Sequence, residues 1–188
     1  MGSQESSLLS AEQLEDYAEL TYLTKWEILL IMDKFLPLEP DEIRKDLHRR
    51  IPNRKIMEAF PQLKFNPFRD RIFEVFSSGR DTRCSFEDVL DLFSVMSDRC
   101  PHRVKAAWAF RVFDVDNDRM ISASDIVAVC ERLVGSGDRG LRDDEKACIA
   151  AVILEEMDLQ KNGSLGEFDF IHAIAKVPEF HHSFSFRP

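Results

Sequence analysis

The sequence predicts an all-α fold in two lobes assembled from repeated helix–loop–helix units, and three observations carry that prediction. Apolar residues recur at helical spacing nearly throughout the chain. The stretch Asp114-Val-Asp-Asn-Asp-Arg-Met-Ile-Ser-Ala-Ser-Asp125 places oxygen-bearing side chains at positions 1, 3, 5, 9 and 12 of a twelve-residue loop. The same frame, apolar helical faces on either side of a twelve-residue loop, recurs from Ser77 and from Asp158.

In chain order, Ser10 caps a first helix, with Gln13 in capping-box position. Thr24 caps a second, which runs through Trp26, Ile28, Leu29 and Phe35 until Pro37 and Pro40 end it. Residues 41–64 are polar and irregular, with short helical pieces broken by Pro52 and Pro61. Asn66-Pro67 opens a new helix with proline in its first turn. The break at Asp98 to His102, with Pro101, divides the two halves, and the glycine-rich run from Gly135 to Gly140 links two helices of the second. Ala106, Ala109, Phe110 and Phe113 precede the loop at Asp114, and Ile126, Val129, Cys130 and Leu133 follow it. Ile153, Leu154 and Met157, then Phe170, Ala173 and Ile174, frame the loop at Asp158 in the same way. Each unit carries an apolar residue at loop position 8, Cys84, Ile121 or Leu165, placed to pair two loops through a short strand.

The 188 residues, 44% of them hydrophobic, suit one sizeable core or two small ones. A net charge of −9 argues against a nucleic-acid partner, which calls for a basic face. The four cysteines form no CxxC pair and no signal peptide precedes them, so free, largely buried thiols are expected. No apolar run approaches the roughly 20 residues that span a bilayer. No nucleophile–base pair, phosphate-binding glycine loop or zinc motif suggests an enzyme.

The spacing in Asp114–Asp125 is that by which an EF-hand wraps a hard cation. Its ligands are Asp114, Asp116, Asp118, the Met120 carbonyl, Ser122 through water, and Asp125. Two residues depart from the pattern. Arg119 stands at position 6, where the backbone turns with φ > 0 and glycine is usual; a side chain there costs about 1–2 kcal/mol. Asp125 replaces the usual glutamate at position 12 and more readily offers one oxygen than two. Six ligands suit octahedral Mg²⁺, so discrimination between Ca²⁺ and Mg²⁺ is expected to fall. The loop 158–169 offers Asp158, Gln160, Asn162, the Ser164 carbonyl and Asp169, with Gly163 keeping the turn. It is either a weaker Ca²⁺ site or a structural partner of its neighbour. The loop 77–88 has Gly79 at position 3, only Asp81 and Asp88 as acidic ligand positions, and two arginines, and reads as structural.

The opening Met1-Gly2-Ser3-Gln4-Glu5-Ser6 matches the myristoylation pattern at Gly2. One acyl chain gives marginal, reversible membrane affinity. The closing segment holds Phe180, Phe184 and Phe186, either as a flap over an apolar groove or as ordinary C-terminal packing.

Leu20-Thr-Tyr-Leu-Thr-Lys-Trp-Glu-Ile-Leu29, Asn66-Pro-Phe-Arg-Asp-Arg-Ile72, Ser85-Phe-Glu-Asp-Val-Leu-Asp-Leu-Phe-Ser-Val95, Ala109-Phe-Arg-Val-Phe-Asp114 and Pro178-Glu-Phe-His-His-Ser-Phe184 resemble the calcium- and integrin-binding protein family. The resemblance implies two EF-hand lobes of four units, the first two degenerate, with a C-terminal extension. Residues 1–98 then form the N-terminal lobe and its extension, with a first unit within 24–64. Residues 103–177 form the C-terminal pair and 178–188 the tail. It also implies metal at the third and fourth loops, and a cytoplasmic adaptor, partly at the inner face of the plasma membrane and mainly monomeric. Its hydrophobic groove would receive amphipathic helices from cytoplasmic segments of membrane proteins, such as integrin α tails or mechanotransduction channel subunits. The candidate groove residues are Phe93, Met96, Phe110, Phe113, Val129, Leu133, Ile153, Leu154 and Ile174. A calcium buffer and a phosphatase-type regulatory subunit are the alternatives.

Overall fold

The computed structural model describes residues 8–135 and 140–188. Gly2 and most of the glycine-rich linker lie outside the described residues. The described elements are α1 (Ala11–Leu20), α2 (Lys25–Phe35), a 3-10 turn (Leu36–Leu38), α3 (Pro40–Lys45), β1 (Ile51–Pro52), α4 (Asn53–Ala59), α5 (Pro61–Lys64) and α6 (Arg69–Phe76). They continue with β2 (Arg83–Cys84), α7 (Phe86–Met96), α8 (His102–Phe113), α9 (Ala123–Val134), α10 (Asp143–Met157), α11 (Glu167–Ile174) and α12 (Phe180–Ser183). Among the described residues the only strands are β1 and β2, so the all-α prediction holds. No described helix is long and apolar enough to cross a membrane.

Local chemistry explains the helix starts. Ser10 and Gln13 exchange hydrogen bonds of 3.0 and 2.9 Å, a reciprocal box that satisfies two orphan donors of α1. Thr24 with Glu27, Ser85 with Asp88 and Ser122 with Asp125 do the same for α2, α7 and α9. The helix expected from Asn66-Pro67 begins only at Arg69. The Asn66 side chain accepts from Phe68 N–H at 2.8 Å, folding a local turn that competes with helix until Pro67 is passed.

The chain forms two compact units. The first comprises the described residues up to Phe65, then Phe76–Cys100 and Ser185–Pro188. Its core is aromatic: Phe35 lies 5.6 Å from Phe86, and Phe60 lies 4.9 Å from Phe93, ring centre to ring centre. All four rings are fully buried, each contributing about 1.5–3 kcal/mol of transfer free energy. β1 and β2 pair antiparallel with Ile51 opposite Cys84. Ile51 therefore takes position 8 of a first loop running from Arg44 to Lys55, the degenerate unit that the family resemblance implies. Arg44 and Lys55 fall at its positions 1 and 12, where a metal-binding loop has carboxylates. At the end of the chain Phe186 N–H donates to the Met96 carbonyl at 3.1 Å, and its ring meets Phe93 edge-on at 5.7 Å.

The second unit comprises Asn66–Val75 and the described residues of Pro101–Phe184. Ala106, Ala109, Phe110, Ile121, Ile126, Ala150, Leu165, Phe170 and Phe180 form its core. Phe180 and Phe184 stack at 5.5 Å, and Phe184 also meets Phe113 at 6.2 Å, so these two aromatics are packed within this unit. Of the thiols, Cys84 and Cys100 are buried as expected, whereas Cys130 is half-buried and Cys148 is exposed on α10. Burial pushes the Cys84 thiol up to about 12.

Candidate metal centre

The third loop starts where α8 ends. Asp114 is the C-cap, its N–H bonded to the Phe110 carbonyl at 2.9 Å, and it is buried. Its two carboxylate oxygens accept from the N–H groups of Asp118 at 3.1 Å and Arg119 at 3.0 Å. Asp118 in turn accepts from Met120 N–H at 2.7 Å. These local bonds curl the chain so that one carboxylate oxygen each of Asp114, Asp116 and Asp118 lies within 4.8 Å of the others. Burial, with the Asp118 and Asp125 charges nearby, pushes the Asp114 carboxyl above the usual aspartate range despite those N–H donors. The loop thus concentrates negative charge that a cation would relieve.

Arg71, buried on α6, reaches the same loop from outside. Its guanidinium donates to the carbonyls of Arg111 at 2.9 Å and Val112 at 3.4 Å, to the carbonyl of Asp114, and to Asn117 Oδ1 at 3.0 Å. Glu74 accepts from Arg71 at 2.6 Å and from Asn117 Nδ2 at 3.0 Å. A cation at the C-terminus of α8 is favoured by the helix dipole as well as by the orphan carbonyls. Here it also anchors loop positions 1 and 4. Nothing in the spacing of the sequence marks this residue.

Asn117 and Arg119 adopt left-handed backbone, with φ of 62° and 71°. The strain expected at Arg119 is therefore present, while its side chain is exposed. Arg119→Gly is expected to raise the unfolding free energy by up to about 1 kcal/mol, because the relief of about 1–2 is partly offset by glycine's greater freedom in the unfolded chain. Urea denaturation checks this, and an unchanged or lower midpoint would contradict it.

Asp125 is buried but stands apart from the carboxylate cluster. One oxygen accepts from Val115 N–H at 2.9 Å and the other from Ser122, N–H at 2.9 Å and Oγ at 2.6 Å. Burial raises its pKa, but the Ser122 and Val115 donors outweigh that and hold it below the usual range. The short side chain closes the loop onto its own backbone.

The fourth loop repeats the design with fewer charges. Asp158 caps α10, and its Oδ2 accepts from Gly163 N–H at 2.7 Å. Gly163 has φ of 89°, the turn for which glycine is expected. Asn162 Oδ1 accepts from Ser164 N–H at 3.1 Å. Asp158 Oδ1 and Asp169 Oδ1, at positions 1 and 12, are buried without a hydrogen-bond partner. An unsatisfied buried carboxylate oxygen is costly, and a cation satisfies two at once. Ile121 and Leu165 join the two loops by reciprocal backbone bonds of 2.8 and 2.9 Å. The pairing through position 8 is as the sequence predicts.

A family model described as an EF-hand domain pair matches residues 103–175, which span both loops. Over the full length of both chains this protein is 33% identical to calcium and integrin-binding family member 2 of Mus musculus and to family member 3 of Homo sapiens. It is also 33% identical to family member 2 of Drosophila melanogaster, over 94% of each chain. The chain belongs to the calcium and integrin-binding family.

Within this family member the candidate groove residues divide by burial. Phe93, Met96 and Phe110 are buried, and Phe93 is met edge-on by Phe186 of the tail. Phe113, Val129, Ile153, Leu154 and Ile174 are half-buried, and Leu133 is exposed. The second unit carries a groove of about 900 Å³ elsewhere, lined by Trp108, Phe168 and Ile171 among others, none of which the sequence singled out.

Proposed function

We infer that this family member is a calcium-binding regulatory protein whose second unit binds divalent cations at residues 114–125 and 158–169 and receives an amphipathic helix. The cluster of Asp114, Asp116 and Asp118 carries the reading. The unpartnered Oδ1 atoms of Asp158 and Asp169 support the second cation, because a hard ion suits such oxygens. Asp114, Asp116, Asp118, the Met120 carbonyl, Ser122 through water, and Asp125 serve the third loop. A small shell completed by water favours Mg²⁺ as a competitor. Asp158, Gln160, Asn162, the Ser164 carbonyl and Asp169 serve the fourth.

The partner reading rests on the names of the relatives, which include integrin binding, and on half-buried and exposed apolar side chains of α9, α10 and α11. Phe180 and Phe184 belong to the same apolar cluster as Ile153, Leu154 and Ile174. A helix from a membrane protein's cytoplasmic segment would compete with the two rings for those side chains. The work would be done at the cytoplasmic face of the membrane by a non-enzymatic adaptor, with acylation at Gly2 as a further, weak attachment.

Calorimetric titration with Ca²⁺ and with Mg²⁺, followed by an amphipathic peptide of integrin α-tail composition, tests this. Two cation events are expected, the first competed by millimolar Mg²⁺, with peptide affinity raised in a variant lacking 180–188. No cation heat, or no peptide binding in any metal state, would overturn it.

A further inference from the structure

The first unit contains a loop whose ion is already present in the chain. We propose that the guanidinium of Arg50 is the resident cation of the second loop, 77–88, so that the first unit is a permanently loaded EF-hand pair that needs no metal.

The ligand positions of that loop converge on one side chain. Arg50 Nη2 donates to Ser77 Oγ at 2.9 Å, Asp81 Oδ1 at 2.7 Å and the Arg83 carbonyl at 2.6 Å, which are positions 1, 5 and 7. Nη1 donates to Asp88 Oδ2, position 12, at 3.2 Å, and to Ser78 Oγ at 2.6 Å. Nε is buried without a hydrogen-bond partner. In a metal-binding loop, positions 1, 5, 7 and 12 supply oxygens to one ion. Here they supply them to a planar, permanently charged fork. Position 3 is Gly79, whose backbone is not left-handed, so its lack of a side chain has a different cause. A Cβ there would stand 2.6 Å from Arg50 Nη2 and 2.8 Å from Cζ. Where a metal site has a ligand, this loop has the space that the guanidinium fills.

The exchange is reciprocal. Arg50 is position 7 of the first loop, and its own carbonyl accepts from Arg83, position 7 of the second, through Nε at 3.0 Å and Nη2 at 2.7 Å. The pairing of Ile51 with Cys84 sets the two arginines across from each other. Each loop therefore satisfies the other's position-7 carbonyl with a guanidinium. The consequence is that cation level acts on residues 114–125 and 158–169 while the first unit keeps its shape.

The test is a double-mutant cycle in the full chain, unfolded by urea in EDTA. Arg50→Ala is expected to raise the unfolding equilibrium constant about 100-fold, and low-millimolar guanidinium to recover part of the loss. Gly79→Ala is expected to destabilise the wild type about tenfold. In the Arg50→Ala background the same change should be neutral or stabilising, since a Gly→Ala change at a compatible position stabilises. The Gly79→Ala single variant stands as a test even if Arg50→Ala does not fold. Wild-type stability of Arg50→Ala, or an equal effect of Gly79→Ala in both backgrounds, or a Gly79→Ala variant as stable as wild type, would overturn the proposal.

Discussion

Arg71→Ala is expected to lower the unfolding free energy by about 3 kcal/mol and to weaken cation binding about tenfold. The first effect follows from what the guanidinium touches. Arg71 is 3% exposed and donates to the carbonyls of Arg111, Val112 and Asp114. Truncation leaves these acceptors in a cavity, at about 1–3 kcal/mol for each that water fails to reach. The second effect follows from where it holds the loop. Asp114 loses its outside anchor and Asn117 keeps only Glu74, so the cation must order more of the loop itself, and a tenfold weakening corresponds to about 1.4 kcal/mol. Arg71→Lys should recover the charge but only part of the stability, because an ammonium cannot reproduce the fork. Urea denaturation in EDTA and in saturating Ca²⁺, together with calorimetry, separates the two effects. A wild-type midpoint and a wild-type affinity in Arg71→Ala would show that the contact is incidental.

Asp114→Ala is expected to weaken the third-loop cation event about 100-fold or more, a loss of about 2.7 kcal/mol. Asp114 has two tasks. It is one of three clustered carboxylates, and its oxygens pin the N–H groups of Asp118 and Arg119, so the loop loses charge and curvature together. The buried charge it removes is strained in the cation-free fold, so stability in EDTA should fall less than affinity does. Asp158→Ala is the matched control in the fourth loop. If Asp158→Ala removes the tighter event and Asp114→Ala spares it, the order of the two sites is reversed. The backbone bonds between Ile121 and Leu165 predict that each variant also perturbs the weaker event of its neighbour.

The two loops were legible in the sequence because their chemistry is local. Ligand positions in a twelve-residue loop are fixed by spacing, the turn at Gly163 by its need for positive φ, and the helix starts by Ser10, Thr24, Ser85 and Ser122 with their partners three residues on. The strain at Arg119 was legible for the same reason. Asp125 was harder to read. Its shortness is visible in the sequence, but that both oxygens close onto Val115 and Ser122 depends on how α9 meets the loop. The fourth loop looked the poorer site by charge, yet its two buried, unpartnered oxygens make it the loop with the clearest unmet demand.

Helical class, the loop frame and the candidate ligand positions of 114–125 and 158–169 were legible in the sequence alone, because each rests on residues a few positions apart; the family was legible from segments spread along the chain. The tertiary structure alone decided what long-range packing controls. It placed Arg71 over a loop some forty positions away, and buried Phe93, Met96 and Phe110. It also brought the oxygens of Asp81 and Arg83 in 77–88 onto the guanidinium of Arg50, through the pairing of two short strands.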